Sequence, residues 1–196
     1  MKKYIYLFRH GETFYNLGGM GKGKKFTGWK NSSLSPKGIR SAKKIAKKLK
    51  KFKFEVAYQT RLSRSKDTLK EVLKFHPECK KIITDDRMIE RSYGKLQGYA
   101  HKTIIDKYGK DKYEKWHRSY NIAPPKGESI KMVEKRVNSF IKDLLKFMKK
   151  DKVNVAISAH NNSMRPFRRY FEKFGTKKMI KLENPYDTYF RYNIEC

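Results

Sequence analysis

The sequence predicts an α/β protein, a three-layer sandwich in which a mostly parallel central sheet has helices on both faces. Short strand-like runs alternate with amphipathic helices along the chain, which is the pattern of parallel strands joined by helical crossovers. Residues 153–158 are almost entirely apolar, as expected for a strand buried on both faces. No linker or internal repeat divides the chain, so we expect one domain over residues 1–196.

Each predicted element rests on a local signal. Strands are expected where β-branched and aromatic residues cluster, at residues 4–8, 56–58, 81–84, 153–158 and 189–194. Helices are expected where apolar residues recur every three to four positions, from Ser35-Pro36, from Ser63, in short segments over 102–123, from Ser129 and from Asn162. Ser35 and Ser129 are predicted N-caps, and proline is favoured at the first helical position.

The remaining segments are predicted to be loops. One is rich in glycine and lysine around residues 17–25, and another spans residues 85–101. Two tryptophans and one histidine are expected to have structural roles and not to contact a ligand. Trp29 and Trp116 are expected to pack against other apolar groups, and His76 is expected to cap a helix or lie on the surface.

The chain is strongly basic. Its 49 Lys+Arg and 19 Asp+Glu residues give a formal net charge of +30 over 196 residues. Such a charge attracts any polyanion, but the sequence contains no motif typical of nucleic-acid recognition. We therefore favour a solvated, lysine-rich surface, and keep a non-catalytic, basic nucleic-acid-binding protein as a remote alternative.

Several classes of protein are excluded by the sequence pattern. No apolar run approaches the roughly 20 residues that cross a bilayer, and the apolar stretch near the start is too short for a signal-peptide core. Cys79 and Cys196 form neither a disulfide framework nor a zinc-binding spacing. We expect a cytoplasmic protein without a membrane partner, and leave its oligomeric state open, a homo-oligomer included.

Two histidine-containing segments directly follow predicted strands. Arg9, His10 and Gly11 follow the first strand, and His160 follows the most apolar one. Parallel sheets bind ligands beyond the carboxyl ends of their strands. A histidine there can present one ring nitrogen to a substrate while a backbone carbonyl fixes the other, and an adjacent arginine supplies donors for phosphate oxygens.

Two further charged residues complete this candidate site. Arg64 follows the second strand, and Glu90 begins a glycine-containing segment that could bend back toward the strand ends. If these residues meet the two histidines, they can bind a phosphate, accept a phosphoryl group on nitrogen and protonate the leaving oxygen. No carboxylate cluster indicates a metal site. The arginines can instead neutralise the phosphate charge, as magnesium does elsewhere.

The ordered set of motifs resembles the histidine phosphatase superfamily, and within it the cofactor-dependent phosphoglycerate mutases. The matching pieces are residues 9–12, Asn16, 26–29, Leu34 with Gly38, 60–64, 90–94, 96–98, 116–125, 128–129 and 160–163. They occur in the family's order over nearly the whole chain. The resemblance implies a phosphoglycerate mutase-like fold.

The resemblance also implies roles for individual residues. His10 matches the nucleophile that becomes phosphohistidine, and Glu90 matches the general acid and base. The residues that match the family's ligands of the transferring phosphoryl group are Arg9, Arg64 and His160. The substrate contacts that it implies are Asn16, Thr27, Gly28, Tyr93, Arg118 and Asn162. His101, Lys102 and His117 lie where family members bind anionic substrate. The implied cofactor is 2,3-bisphosphoglycerate as a priming phosphoryl donor, with no metal.

The implied activity is the interconversion of 3-phosphoglycerate and 2-phosphoglycerate in glycolysis and gluconeogenesis. The sequence departs from the mutases at His101, where lysine is usual, at His117, where the first of two arginines is usual, and in the short 125–128 connection. These departures leave open a histidine phosphatase that hydrolyses small phosphomonoesters. In both cases the partner is a small phosphorylated metabolite.

Overall fold

The computed structural model describes residues 1–17 and 23–196. At its centre lies a sheet made of β1 (Lys2–Arg9), β2 (Val56–Gln59), β3 (Lys81–Thr84), β4 (Val155–Ala159) and β5 (Tyr189–Glu195). The strand order is β3-β2-β4-β1-β5, with β5 antiparallel to β1 and the other neighbouring pairs parallel. This confirms the mostly parallel sheet. Gly18, Gly19 and Gly21 of the predicted glycine-rich loop lie outside the described residues.

Two long helices begin at the predicted capping serines. The helices are α1 (Phe14–Leu17), α2 (Pro36–Leu49), α3 (Ser63–Leu73), α4 (His101–Tyr108), α5 (Lys110–Arg118), α6 (Ile130–Asp151), α7 (Asn161–Glu172) and α8 (Thr176–Lys181). Ser35 Oγ accepts the N–H of Gly38 at 3.0 Å, and Ser129 Oγ accepts that of Met132 at 3.2 Å. Each cap satisfies a backbone donor that has no partner within the first turn. Among residues 1–17 and 23–196, no helix combines the length and apolar character that crossing a membrane requires.

Alternate residues of β1 face two separate cores. Ile5 and Leu7 join a core with residues of α6 and α7. Tyr6 and Phe8 join a second core with residues of α2 and α3. Because successive side chains of a strand point to opposite faces, the sheet lies between two helical layers, and the predicted three-layer sandwich is confirmed.

The carboxyl ends of β1, β2 and β4 form one edge of the sheet. Arg9 is paired with Ala159 in the parallel β1–β4 ladder, and the N–H of His10 donates to the Ala159 carbonyl at 3.0 Å. His10 and His160 therefore follow neighbouring strand ends. The antiparallel strand β5 begins at this same edge, where Tyr189 is opposite Phe8, so the connection that precedes β5 also reaches this edge.

Two structural interpretations made from the sequence are wrong. His76 is 2% exposed, and its ring centroid lies 4.0 Å from that of Phe54, because a turn after α3 folds it against the apolar core. Trp29 is 39% exposed, and its indole N–H donates to the Glu90 carbonyl at 2.7 Å. The polar edge of the indole therefore anchors the segment that carries Glu90. Trp116 is buried among aromatic residues, as expected.

Candidate active site

His10 follows β1 and is 3% exposed. Its Nδ1 lies 2.7 Å from the carbonyl oxygen of Gly11. Because a carbonyl only accepts, Nδ1 carries the proton and Nε2 keeps a lone pair. Burial, with the charges of Arg64 and Arg9, lowers the pKa of His10 well below its ordinary value. The ring is therefore neutral near pH 7 and offers Nε2 as a nucleophile.

The carbonyl that orients His10 is fixed by close backbone packing. A Cβ on Gly11 would lie 2.4 Å from the carbonyl oxygen of Gly38 in α2, so only glycine fits there. The N–H of Gly11 also donates to Thr68 Oγ1 of α3 at 2.9 Å. The loop that carries the histidine is thus held against two helices.

Two arginines flank His10 through different supports. Arg9 donates to the carbonyl of Asn184 at 2.8 Å and to Tyr186 Oη at 2.9 Å, and its guanidinium lies 3.9 Å from the centre of the Tyr186 ring. Arg64, 1% exposed, donates to the carbonyls of Lys30 at 2.8 Å and Gly28 at 2.7 Å. Burial lowers the pKa of Arg64 to about 10, which leaves it charged at neutral pH. In both arginines, Nε is buried without a hydrogen-bond partner among the described residues.

His160 and Glu90 complete the cluster around His10. The two imidazole centroids are 4.9 Å apart, and a ring nitrogen from each histidine and a Glu90 carboxylate oxygen all lie within 4.8 Å of one another. Glu90 is 8% exposed, and its Oε1 accepts the N–H groups of Arg91 at 2.8 Å and Asn162 at 3.2 Å. These two backbone donors hold the carboxylate toward the histidines.

Two histidines and one carboxylate also form a donor set known from metal sites. Here the two arginines that line the same pocket, Arg9 and Arg64, place positive charge beside it. Positive charge opposes a cation and attracts a phosphate oxyanion. The arrangement is therefore suited to binding an anion at His10.

A pocket opens over this cluster at the sheet edge. Eleven of the residues singled out from the sequence line it: Arg9, His10, Asn16, Thr27, Gly28, Arg64, Glu90, Tyr93, His101, His117 and Asn162. Lys25, Phe26 and Asn161 line it as well. Phe26 and Asn161 lie within the matching segments 26–29 and 160–163, but neither they nor Lys25 were assigned a role from the sequence. Gly28 has a positive φ of 50°, and a Cβ there would meet the Gln97 side chain at 2.0 Å, which requires glycine at this bend.

The far wall of the pocket is aromatic. The His101 ring stacks on Phe26 with centroids 4.0 Å apart and lies 5.2 Å from the His117 ring, and His101 Nδ1 is 2.9 Å from Tyr113 Oη. Burial and then the charge of Lys24 lower the pKa of His101. Burial and then Arg118 lower the pKa of His117 to about 3. Both rings are therefore neutral near pH 7, unlike the lysine and arginine expected at these positions in mutases.

Two predicted substrate contacts do not line this pocket. Lys102 is exposed on α4 and forms an ion pair with Asp106 at 3.0 Å, because α4 turns its side chain toward solvent. Arg118 is exposed at the end of α5, with an Nη1 atom 3.9 Å from Glu183. The structure thus brings the two histidines to the far wall and leaves these two cations outside it.

Sequence reasoning missed the support that the connection between α8 and β5 gives to the site. Asn184 and Tyr186 in this connection hold Arg9. The Asn184 side chain in turn donates to Asn161 Oδ1 at 2.9 Å, and Glu183 accepts from Arg165 at 2.8 Å. Glu183, Asn184 and Tyr186 lie in neither a helix nor a strand and belong to none of the matching motifs. They reach the site because the connection in which they lie leads into β5, which begins at this edge of the sheet.

The chain matches the histidine phosphatase superfamily (branch 1) over residues 5–194. It belongs to this superfamily. A 2,3-bisphosphoglycerate-dependent phosphoglycerate mutase of Methanococcus vannielii is 33% identical over 217 residues, covering 97% of this chain and 90% of the relative. The resemblance seen in the sequence motifs is therefore confirmed.

Solved structures with similar folds include both phosphatases and mutases. A mycobacterial glucosyl-3-phosphoglycerate phosphatase superposes with a TM-score of 0.81 at 20% identity, covering 98% of this chain and 91% of that one. A phosphoglycerate mutase from Bacillus anthracis superposes with a TM-score of 0.79 at 21% identity, covering 99% and 88%. These similarities confirm the phosphoglycerate mutase-like fold.

Proposed function

We propose that this enzyme transfers phosphoryl groups through a phosphohistidine at His10. We further propose that its main reaction is the 2,3-bisphosphoglycerate-dependent interconversion of 3-phosphoglycerate and 2-phosphoglycerate. The observation that carries the proposal is the cluster of His10, Arg9, Arg64, Glu90 and His160 at one sheet edge, with a lone pair left on His10 Nε2. Such a set can bind, accept and release a phosphoryl group.

We assign one role in this reaction to each of four residues of the cluster, and the geometry of the site is consistent with these roles. Nε2 of His10 attacks phosphorus, and the bond from phosphorus to the leaving oxygen breaks. Glu90 gives a proton to that oxygen, while Arg9 and Arg64 stabilise the charge on the phosphoryl oxygens. In the return step the nitrogen–phosphorus bond breaks, the acceptor hydroxyl binds phosphorus, and its proton passes to Glu90.

The residues of the pocket fit a compound with two anionic groups. The buried Nε atoms of Arg9 and Arg64 are donors without protein partners in the described ranges, which suits a phosphoryl group at His10. Lys25 lines the pocket together with His101 and His117 and supplies a cation for the distal group. When bound, 2,3-bisphosphoglycerate supplies the phosphoryl group that primes His10.

The runner-up is a histidine phosphatase that hydrolyses small phosphomonoesters. One observation favours it. The short connection near residues 125–128 is closed by a tight turn, with the N–H of Gly127 donating to Pro124 at 2.9 Å and that of Lys95 to Pro125 at 3.0 Å. This leaves little chain to cover the pocket, so water has easier access to the phosphoenzyme. The 33% identical mutase over nearly the whole chain supports the leading proposal.

An assay of both products separates the two activities. The enzyme is supplied with 3-phosphoglycerate, with and without 2,3-bisphosphoglycerate, and 2-phosphoglycerate and free phosphate are measured together. We expect 2-phosphoglycerate formation that 2,3-bisphosphoglycerate stimulates, with a slower release of phosphate. Phosphate release that exceeds 2-phosphoglycerate formation at every concentration of the bisphosphorylated compound would establish the phosphatase instead.

A further inference from the structure

Thr60 lies beside His160 because their strands are neighbours. It directly follows β2, as His160 follows β4, and the two strands are paired in parallel through Tyr58 and Ile157. Both residues are fully buried, and Thr60 Oγ1 lies 2.8 Å from His160 Nε2. The other ring nitrogen, Nδ1, is buried and has no hydrogen-bond partner in the part of the chain that the structure describes.

We infer that Thr60 is a positioning residue that donates its hydroxyl proton to His160 Nε2, so that His160 Nδ1 carries the ring proton and donates it to a phosphoryl oxygen. The inference rests on the proposed function of the site as a phosphoryl-transfer centre. It concerns which of two nitrogens is a donor, and no motif in the sequence specifies this.

The chemistry of the ring selects one of two arrangements. Burial, and then the charge of Arg64, lowers the pKa of His160 well below its ordinary value, so the ring is neutral and has one N–H and one lone pair. A threonine hydroxyl can donate or accept, so the contact with Thr60 alone allows either tautomer. A phosphoryl oxygen only accepts. The nitrogen that remains for it, Nδ1, must therefore be the donor, and Nε2 must accept from Thr60.

Thr60 is rigidly placed for this role. Its N–H donates to Ser65 Oγ at 3.1 Å, and Ser65 Oγ donates to the Ser158 carbonyl at 2.8 Å. Ser158 Oγ returns a hydrogen bond to the Ser65 carbonyl at 2.9 Å. These bonds join the ends of β2 and β4 to the start of α3, so the backbone that carries the Thr60 hydroxyl is held in place before substrate binds, as a preorganised site requires.

Two substitutions of Thr60 separate the hydroxyl from the shape of the side chain. Thr60→Ser keeps the hydroxyl, while Thr60→Val keeps the shape and removes it. We expect kcat to fall about 10-fold to 100-fold in Thr60→Val with KM changed less than about threefold, because the bond to the phosphoryl group strengthens as charge develops. Thr60→Ser should keep kcat within about threefold of wild type.

The tautomer is measured directly by nitrogen–proton correlation NMR on protein labelled with ¹⁵N-histidine and saturated with inorganic phosphate. In wild type and Thr60→Ser, His160 should be protonated at Nδ1, and in Thr60→Val this preference should weaken. Protonation of wild-type His160 at Nε2 would overturn the inference, even if Thr60→Val fails to fold. A folded Thr60→Val with the wild-type tautomer and kcat would overturn it as well.

The same samples distinguish this inference from the proposed function. The NMR measurement needs no turnover, whereas phosphohistidine formation at His10 is scored separately as acid-labile phosphate on the protein. Phosphohistidine at His10 together with an Nε2 proton on His160 would overturn only the role of Thr60. Absence of phosphohistidine together with an Nδ1 proton on His160 would overturn only the proposed function.

Discussion

The proton on Nδ1 of His10 is held by one backbone carbonyl, that of Gly11, and the ring is kept neutral by its surroundings. His160 is buried in the same way, with its pKa also lowered well below the ordinary value. The lowered pKa of His10 suits its proposed role, since a protonated imidazole cannot attack phosphorus. The two lowered pKa values also make the folded state sensitive to acid, because the unfolded chain can protonate both rings.

We expect the free energy of unfolding to decrease as pH falls below about 6.5. The unfolded chain then binds protons on His10 and His160 that the folded chain does not bind, which stabilises the unfolded state by up to about 1.4 kcal/mol per pH unit for each histidine. Urea unfolding at pH 7.5, 6.5 and 5.5 measures the slope. His160→Gln should lower it between pH 6.5 and 5.5, and an unfolding free energy independent of pH in wild type over that range would contradict the lowered pKa values.

Glu90→Gln should separate the acid role from binding. An amide of the same shape keeps the hydrogen bonds from Arg91 and Asn162 but cannot supply a proton to a leaving oxygen. We expect transfer from an alkyl phosphate to slow about 100-fold to 10,000-fold, and transfer from an activated aryl phosphate to slow much less. Steady-state rates with both substrates test this, and equal slowing on the two would remove Glu90 from the acid role.

At the scale of elements, the sheet topology explains why residues far apart in sequence share one site. The parallel strands β1, β2 and β4 bring His10, Thr60 and His160 to a common edge, and the antiparallel strand β5 brings the α8–β5 connection there. Tyr186 of that connection stacks on Arg9 and accepts its hydrogen bond. The connection therefore supports Arg9, which lines the end of the pocket proposed to bind the phosphoryl group, although the connection contributes no histidine or carboxylate to the proposed catalytic set.

Graded substitutions of Tyr186 should reveal this support. Tyr186→Phe removes the hydroxyl acceptor and keeps the ring. We therefore expect kcat/KM for an aryl phosphate to fall by a factor of about 3 to 10. Tyr186→Leu also removes the stacking, and we expect a further loss, to about 10-fold to 100-fold in all. The matched control is Tyr189→Phe. Tyr189 lies in β5 and packs against Tyr6, so this variant should retain wild-type kcat/KM. Wild-type kcat/KM in Tyr186→Leu would show that Arg9 needs no such support.

At the scale of the whole molecule, the sequence was sufficient to predict the three layers of the fold and most of the residues that line the pocket. The alternation of strands and helices predicts the sandwich, and motifs that follow strands predict His10 and His160, because parallel strand ends meet at one edge. Lys102 was placed wrongly at the pocket, because one helical position turns a side chain by about 100°. Tyr186 was missed because contacts made by an irregular connection depend on tertiary packing. We propose that residues 1–196 act as one domain, since the five strands found in residues 1–17 and 23–196 join a single sheet.

The central claim is that His10 carries the phosphoryl group, and mass spectrometry of the intact protein under alkaline conditions tests it most directly. After incubation with 2,3-bisphosphoglycerate, wild type should gain the mass of one phosphoryl group, lose it on brief acid treatment, and yield a modified peptide that contains His10. His10→Ala should gain no such mass and should lose turnover by several powers of ten, since His160 is proposed to bind the phosphoryl group and not to accept it. Near-normal turnover in purified His10→Ala, or acid-labile phosphate on another residue of wild type, would contradict the account.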